Sequence, residues 1–313
     1  MLPSPVVAAL PPAVAPPASP GVAGRRRGGP DRDGSVAAGS FDARPPAGPA
    51  AVVAGGCCVQ ALALDPSCAS AARRTFREVA AVLGLSGDLL SDGMTMTSEL
   101  AANTLHAHQH VEVEAGGSSP VAGGPELWFY LRQASGWWEL VCKAFDSLCG
   151  WKDRRVPVPG SADPYSVSGR GLQVVAGLSG GRWGYHMTRA RLGSWKVPGK
   201  AVWFALAVPP ARVPVRLRDA RIAPVRAGRV LEQMLVDRGL GEGLLRVEEP
   251  ATGISVLSIR PGLTVWCRSG VIRWQTGRGS YARRRPTDLV DVAEEIVRAC
   301  SSTADGGLDD AVL

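Results

Sequence analysis

The sequence predicts an α+β fold, and three observations carry that reading. Between Cys57 and Pro209, two stretches of helical periodicity precede several apolar runs of strand length. Pro209-Pro210 then breaks the pattern. Beyond it a second, smaller helix–strands–helix pattern runs to Cys300. With 313 residues the chain has room for one large or two small domains.

Residues 1–55 are rich in Pro, Ala and Gly and hold nearly half of the chain's 25 prolines. Such a segment buries too little apolar area to offset its ordering entropy, so disorder is expected. From Cys57 the pattern changes. Val59, Ala61 and Leu64 with their neighbours read as a strand. Asp65-Pro66 reads as an N-cap with proline at the first helical position. Ala69, Ala72, Phe76, Val79 and Leu83 follow at helical spacing, and Gly84 ends that helix. A second helix is expected from about Asp88 to His108, then strands over Val111–Glu114, Glu126–Gln133 and Trp138–Asp146. Residues 150–168, with three prolines, read as an irregular lid-like stretch. A helix begins near Gly171, and two strands, Trp183–Thr188 and Ala201–Val208, close the region. The second pattern gives a helix over Pro224–Arg238, three short strands within Leu244–Trp274, and a helix over Pro286–Cys300. The domains expected are therefore a disordered segment 1–55, a domain 56–209, a small α+β module 210–300 and a disordered tail 301–313.

Hydrophobic residues make up 45% of the chain and the formal net charge is +7. A mild excess of arginine fits anionic partners, nucleotides included, without pointing to nucleic acid. The 7 cysteines form no Cys-x-x-Cys, so neither a disulfide framework nor a zinc site is expected. Reduced thiols in the cytoplasm are the simplest reading. The apolar N-terminus is broken by Pro3, Pro5, Pro11 and Pro12 and is not read as a signal peptide. No run approaches the ~18 apolar residues that span a bilayer.

Three segments carry candidate chemistry. Glu99 and Asn103 are four apart and share one helix face. A carboxamide oxygen there can ligate Mg²⁺, and a carboxylate one turn earlier can accept a proton from an attacking hydroxyl. The ordinary alternative is a solvated polar face. Asp146, in Asp146-Ser147-Leu148-Cys149-Gly150, ends an apolar strand, where a buried carboxylate can accept a hydrogen bond from an exocyclic amine; the alternative is a turn former. Ser168-Gly169-Arg170-Gly171-Leu172 enters an apolar helix, and its glycines let backbone N–H groups approach phosphates; the alternative is a plain loop-to-helix turn. His106 and His110 have metal-like spacing, but a polar helix surface is the simpler reading. Gly193 to Ala201 is one residue too long for a phosphate-binding P-loop.

In order and spacing, these segments resemble the boxes of the GHKL ATP-binding family over about 150 residues, in its anti-sigma-factor serine kinase branch. The pairs Glu99/Asn103, Asp146/Gly150 and Gly169/Gly171 match the family's E-x-x-x-N, D-x-G-x-G and S-G-x-G-L patterns. The chain departs at Leu148, where the family has glycine, and at Ala201, where it often has threonine. Ala107 stands where the family has its histidine. The resemblance implies a Bergerat-type two-layer sandwich, with a mixed, mostly antiparallel sheet and helices on one face. It implies ATP and Mg²⁺ as cofactors, Glu99 as general base and Asn103 as Mg²⁺ ligand. Asp146 would read adenine, and Gly150, Ser168, Gly169, Arg170, Gly171 and Leu172 would line the nucleotide. It further implies phosphorylation of a Ser or Thr on a STAS-type antagonist, or control of a sigma factor, in a partner-switching pathway. A homodimer is left open. Competing readings are an ATP-holding module without phosphoryl transfer and a DNA-associated regulator acting through the basic C-terminal module.

In that module, Leu263–Cys267 and Val271–Trp274 flank Arg268-Ser269-Gly270 and read as a hairpin. Trp266 and Trp274 are core or platform residues. Arg283, Arg284 and Arg285 read as a solvated loop. The module is expected to bind a partner other than nucleic acid.

Overall fold

The computed structural model describes residues 48–114, 123–134, 136–148, 170–194, 196–249, 251–276 and 280–301. The expected N-terminal segment up to residue 47, the lid stretch and the tail from residue 302 lie outside the described residues.

The architecture is α+β with two antiparallel sheets. A short helix α1 (Pro49–Val53) leads into strand β1 (Cys58–Ala61), helix α2 (Cys68–Val82) and the long helix α3 (Asp88–Glu114). Strands β2 (Glu126–Ala134) and β3 (Trp137–Asp146) follow, then helix α4 (Gly171–Leu178) and strands β4 (Trp183–Arg189) and β5 (Pro198–Val208). A short helix α5 (Val215–Arg218) connects to α6 (Pro224–Val236). Five strands then meander as β6 (Leu245–Glu249), β7 (Ile254–Arg260), β8 (Leu263–Arg268), β9 (Val271–Gln275) and β10 (Tyr281–Arg284). Helix α7 (Leu289–Ser301) closes the described chain.

The first sheet has the order β1-β2-β3-β5-β4 and the second β10-β9-β8-β7-β6. Every strand pair is antiparallel, where the resemblance implied a mixed sheet. Alternation sorts the first sheet's side chains by face. Leu127, Phe129, Leu140, Cys142, Phe204 and Leu206 pack with Phe76, Val79, Met96 and Leu100 of α2 and α3. Tyr130, Val141 and Ala205 point the other way and meet Val290 of α7. The second sheet packs Leu257, Val265, Cys267, Ile272 and Trp274 against Leu231 and Leu235 of α6 and against Val292, Ile296 and Val297 of α7. Helix α7 therefore lies between the two sheets, and the first sheet carries helices on both faces rather than one.

Four expectations change. The N-terminal segment does not run unstructured to residue 55: α1 starts on Pro49, and its Val52 is fully buried in the core. Arg216 Nε donates to Val53 O at 2.7 Å and closes the end of that helix. Helix α2 starts after a turn, in which Asp65 Oδ1 accepts the Ser67 N–H at 2.7 Å, so Asp65 shapes the approach and Ser67 stands at the cap. Val111–Glu114 continue α3 instead of forming a strand. Extending a helix adds one backbone bond per residue, and among the described residues no strand pairs with these four. The C-terminal module has five strands, not three; the expected hairpin is present, with Arg268 opposite Val271.

The second face of the first sheet is polar at its centre. Lys143 of β3 and His186 of β4 are buried there and lie 3.3 Å apart. Glu294 of α7, only 2% exposed, meets Lys143 Nζ at 3.3 Å and Arg191 at 2.7 Å, and is also paired with Arg238. Burial alone would raise the Glu294 carboxyl, but Arg238, Lys143 and Arg191 hold it well below the usual range. Burial and the neighbouring Lys143 push His186 down to about 4, so it is neutral at pH 7. Arg191 and Arg238 also lie over the Trp128 ring, at 5.1 and 4.9 Å. One helical turn earlier, Asp291 accepts the Tyr130 hydroxyl at 3.2 Å, and Asp288 accepts the Gln133 N–H at 3.1 Å.

Removing the shared carboxylate strands three cations away from water. Glu294→Gln is expected to lower unfolding free energy by about 3–5 kcal/mol, measured by urea denaturation at pH 7. Asp288 supplies a pH signature. Burial, followed by the charge of Asp291, raises its carboxyl to about 7 in the folded state. A raised folded-state pKa means a contribution fully present below the unfolded value of about 3.9 and lost as pH rises through 7. Asp288→Asn should therefore flatten the stability profile between pH 4 and 8, and should melt above the wild type at pH 8.

Candidate functional site

The residues singled out in the sequence fall into two clusters along α3. In the first, the start of α4 abuts the Glu99/Asn103 face. A Cβ added at Gly171 would lie 2.7 Å from Glu99 Oε2 and 3.0 to 3.1 Å from the two amide atoms of Asn103. Only glycine fits there without displacing both side chains. Glu99 and Asn103 are half-buried. The unpaired N–H groups of the first turn of α4 give that helix a positive end beside the Glu99 carboxylate. Arg170 stands exposed at the N-terminus of α4. Leu172 turns inward and joins the hydrophobic core.

The second cluster surrounds Asp146 at the end of β3. Its partners come from three directions. Lys200, directly opposite on β5, donates to Oδ2 at 2.8 Å. The Leu148 N–H donates to Oδ1 at 2.8 Å. His108 Nε2 of α3 lies 3.1 Å from Oδ1. Lys200 Nζ also donates to the Leu148 carbonyl at 2.7 Å. Burial would raise the Asp146 carboxyl, but His108, Lys200 and the Leu148 N–H outweigh it and hold it below the ordinary range. Asp146 is 4% exposed and fully engaged by the protein itself.

Leu148 therefore engages this cluster through its backbone N–H and carbonyl. Ala201 pairs with Phe145 and His186 and shares their face of the sheet, away from α3. The β5 residue on the α3 side at this level is Lys200. Its neighbour Gly199 is required for closeness, since a Cβ there would collide with the Asp146 carbonyl and the Phe145 ring.

The two clusters share one helix but not one flank of it. Asn103 and His108 are five residues apart, about 7.5 Å along the axis and roughly 140° around it. Glu99, Asn103 and Gly171 come together; Asp146 joins α3 through His108 instead. Gly150, Ser168 and Gly169, and the side chain of His110, lie outside the described residues. His106 is exposed. Among the described residues, no group of three or more His, Cys, Asp or Glu could hold a metal ion, and the six described cysteines form no disulfide with one another. No helix of the described chain is long and apolar enough to cross a membrane.

Sequence inspection missed Lys200 and His108. The signal for Lys200 was a lone cation at the head of the apolar run Ala201–Val208, which calls for a buried counter-charge. His108 gave none, because its role depends on where the end of β3 comes to rest. Comparison with known sequences found no protein-family model and no curated protein that matches the chain.

The Lys200–Asp146 pair is open to a double-mutant cycle. Lys200→Met leaves a buried carboxylate with its main cation gone and should cost about 3 kcal/mol, while Asp146→Asn/Lys200→Met should recover most of that loss in chemical denaturation.

Proposed function

We propose that this chain is an ATP-binding regulatory protein resembling the anti-sigma-factor serine/threonine kinases. On this reading the first sheet with α2, α3 and α4 is a Bergerat-type sandwich, and residues 210–300 are a partner-binding module. The observation that carries the proposal is the meeting of Glu99, Asn103 and Gly171, from segments far apart in sequence, at the N-terminus of a helix. Backbone N–H groups at such a terminus favour phosphate.

The donor set fits Mg²⁺, which takes few protein ligands, all of them oxygens, and keeps waters and phosphate oxygens for the rest. Asn103 would hold it through its amide oxygen, and bound Mg²⁺ would neutralise charge on the β- and γ-phosphates. Glu99 accepts the proton of an incoming Ser or Thr hydroxyl as its oxygen attacks the γ-phosphorus and ADP leaves. Arg170 and the first N–H groups of α4 face the phosphates, with Gly171 keeping the approach open. Asp146 stands as the base-recognising carboxylate; an adenine amine must share it with Lys200 or displace that lysine. The hydroxyl belongs to a STAS-type antagonist protein in a cytoplasmic partner-switching pathway, with a sigma factor as the other partner.

The internal pairing of Asp146 favours a second reading, in which the protein holds ATP to capture a partner and transfers nothing. Calorimetric titration with Mg-ATP tests the common part. Wild type should bind only with Mg²⁺ present, and Gly171→Ala should weaken binding at least about tenfold, because its methyl group occupies the space between Glu99 and Asn103. Absence of binding by wild type, or unchanged affinity in Gly171→Ala, would sink the nucleotide site. Glu99→Gln then separates the two readings: a kinase loses phosphoryl transfer and keeps its affinity for ATP, whereas a capture module behaves as before.

A further inference from the structure

The second sheet offers one face to α6 and α7, and among the described residues no element packs on the other. The helix-facing residues of β8 and β9 are Val265, Cys267, Ile272 and Trp274, all in the core. Their neighbours alternate outward. Trp266 of β8 stands opposite Arg273 of β9, and Arg273 stands opposite Arg283 of β10. Tyr281, 53% exposed, lies beside this row, with its ring 6.1 Å from Trp266 and the Arg273 guanidinium 5.2 Å from it. Arg268, exposed at the end of β8, adds a third cation.

This row is costly for the fold. Like charges directly opposite each other on neighbouring strands are destabilising. The outward residues of β8, β9 and β10 include no acid to offset Arg273 and Arg283. Arg284 shows what the fold itself requires: it turns to the helix side and pairs with Asp291 and Glu295. Trp266 and Tyr281 set beside these arginines combine flat stacking surfaces with phosphate-pairing cations, the combination that holds single strands.

We infer that this face binds single-stranded nucleic acid, with bases stacking on Trp266 and Tyr281 and phosphates lying along Arg268, Arg273 and Arg283. Stacking accepts any base, and the arginines follow the backbone, so the site reads strandedness more than sequence. An anion between Arg273 and Arg283 also relieves their repulsion. The surface is separate from the α3 site, and neither proposal depends on the other.

The test is fluorescence anisotropy of the full chain with labelled oligo(dT) and oligo(rU), beside a DNA duplex and polyglutamate. Both single strands, or one of them, should bind more tightly than the duplex, with affinity falling as salt rises. Comparing the two strands tells whether DNA or RNA is preferred. Tyr281→Ala should weaken binding about tenfold and Tyr281→Phe should restore it. Arg283→Gln should reduce the slope of log affinity against log salt by about 1. Both residues are exposed, so these replacements leave the fold intact. Failure of both oligonucleotides to bind at low salt overturns the inference. So does equal binding of duplex or polyglutamate, or full affinity in Tyr281→Ala. A dimer seen by light scattering and dissolved by Arg283→Glu would assign the face to a second copy of the chain and also overturn it.

Discussion

Glu294 is a carboxylate with almost no contact with water, shared by Lys143, Arg191 and Arg238. The rest of the fold depends on that arrangement. Strand β3 places Lys143 on the second face of the first sheet, and a buried ammonium there requires a counter-charge. None of the sheet's own strands brings a carboxylate to Lys143; α7 does. The described residues accordingly belong to one compact unit. Replacing such a network by apolar residues often leaves stability unchanged or improved, so its value lies in specifying a single arrangement. The docking of α7 brings Lys143, Arg191 and Arg238 to one carboxylate together.

The same helix solves a second problem. Its polar stripe, Asp288, Asp291 and Glu294, sits at spacings of three and faces the first sheet. Its apolar stripe, Leu289, Val292, Ile296 and Val297, faces the second. With one face of the first sheet closed in this way, the candidate chemistry is confined to the side of α3 and α4. There Glu99 and Asn103 meet Gly171, while Asp146 is held by Lys200 and His108. The division follows from helical geometry, since Asn103 and His108 look out from different flanks of one helix.

Periodicity made most elements legible. Helix α2 followed from Ala69, Ala72, Phe76 and Val79, and β3 from its apolar residues Leu140, Val141, Ala144 and Phe145. Where legibility failed, local pattern and tertiary context disagreed. Val111–Glu114 alternate like a strand but pair with none of the described strands, and the preceding helix runs on. Helix α1 was hidden in a Pro/Ala/Gly composition and is held by Val52 in the core and by Arg216 at its end. Part of the candidate site was also legible: a glutamate and an asparagine four apart on a helix announce a shared face. Their meeting with Gly171 was an expectation from a resemblance, since nothing in the spacing of residues 99 and 171 brings them together.

By itself the sequence determined the α+β class, the approximate extent of the main helices and strands, and the pairing of Glu99 with Asn103, because these rest on short-range periodicity. Tertiary structure alone decided which charges are partners. The register of β3 against β5 sets Lys200 on Asp146 and turns Ala201 to the opposite face. The docking of α7 gives three distant cations a common carboxylate. The twofold alternation of the second sheet buries Trp274 and leaves Trp266 beside Tyr281 and Arg273 on an open face. In each case the deciding quantity is a contact between segments remote in sequence, and it is fixed only when both faces of a sheet have been assigned.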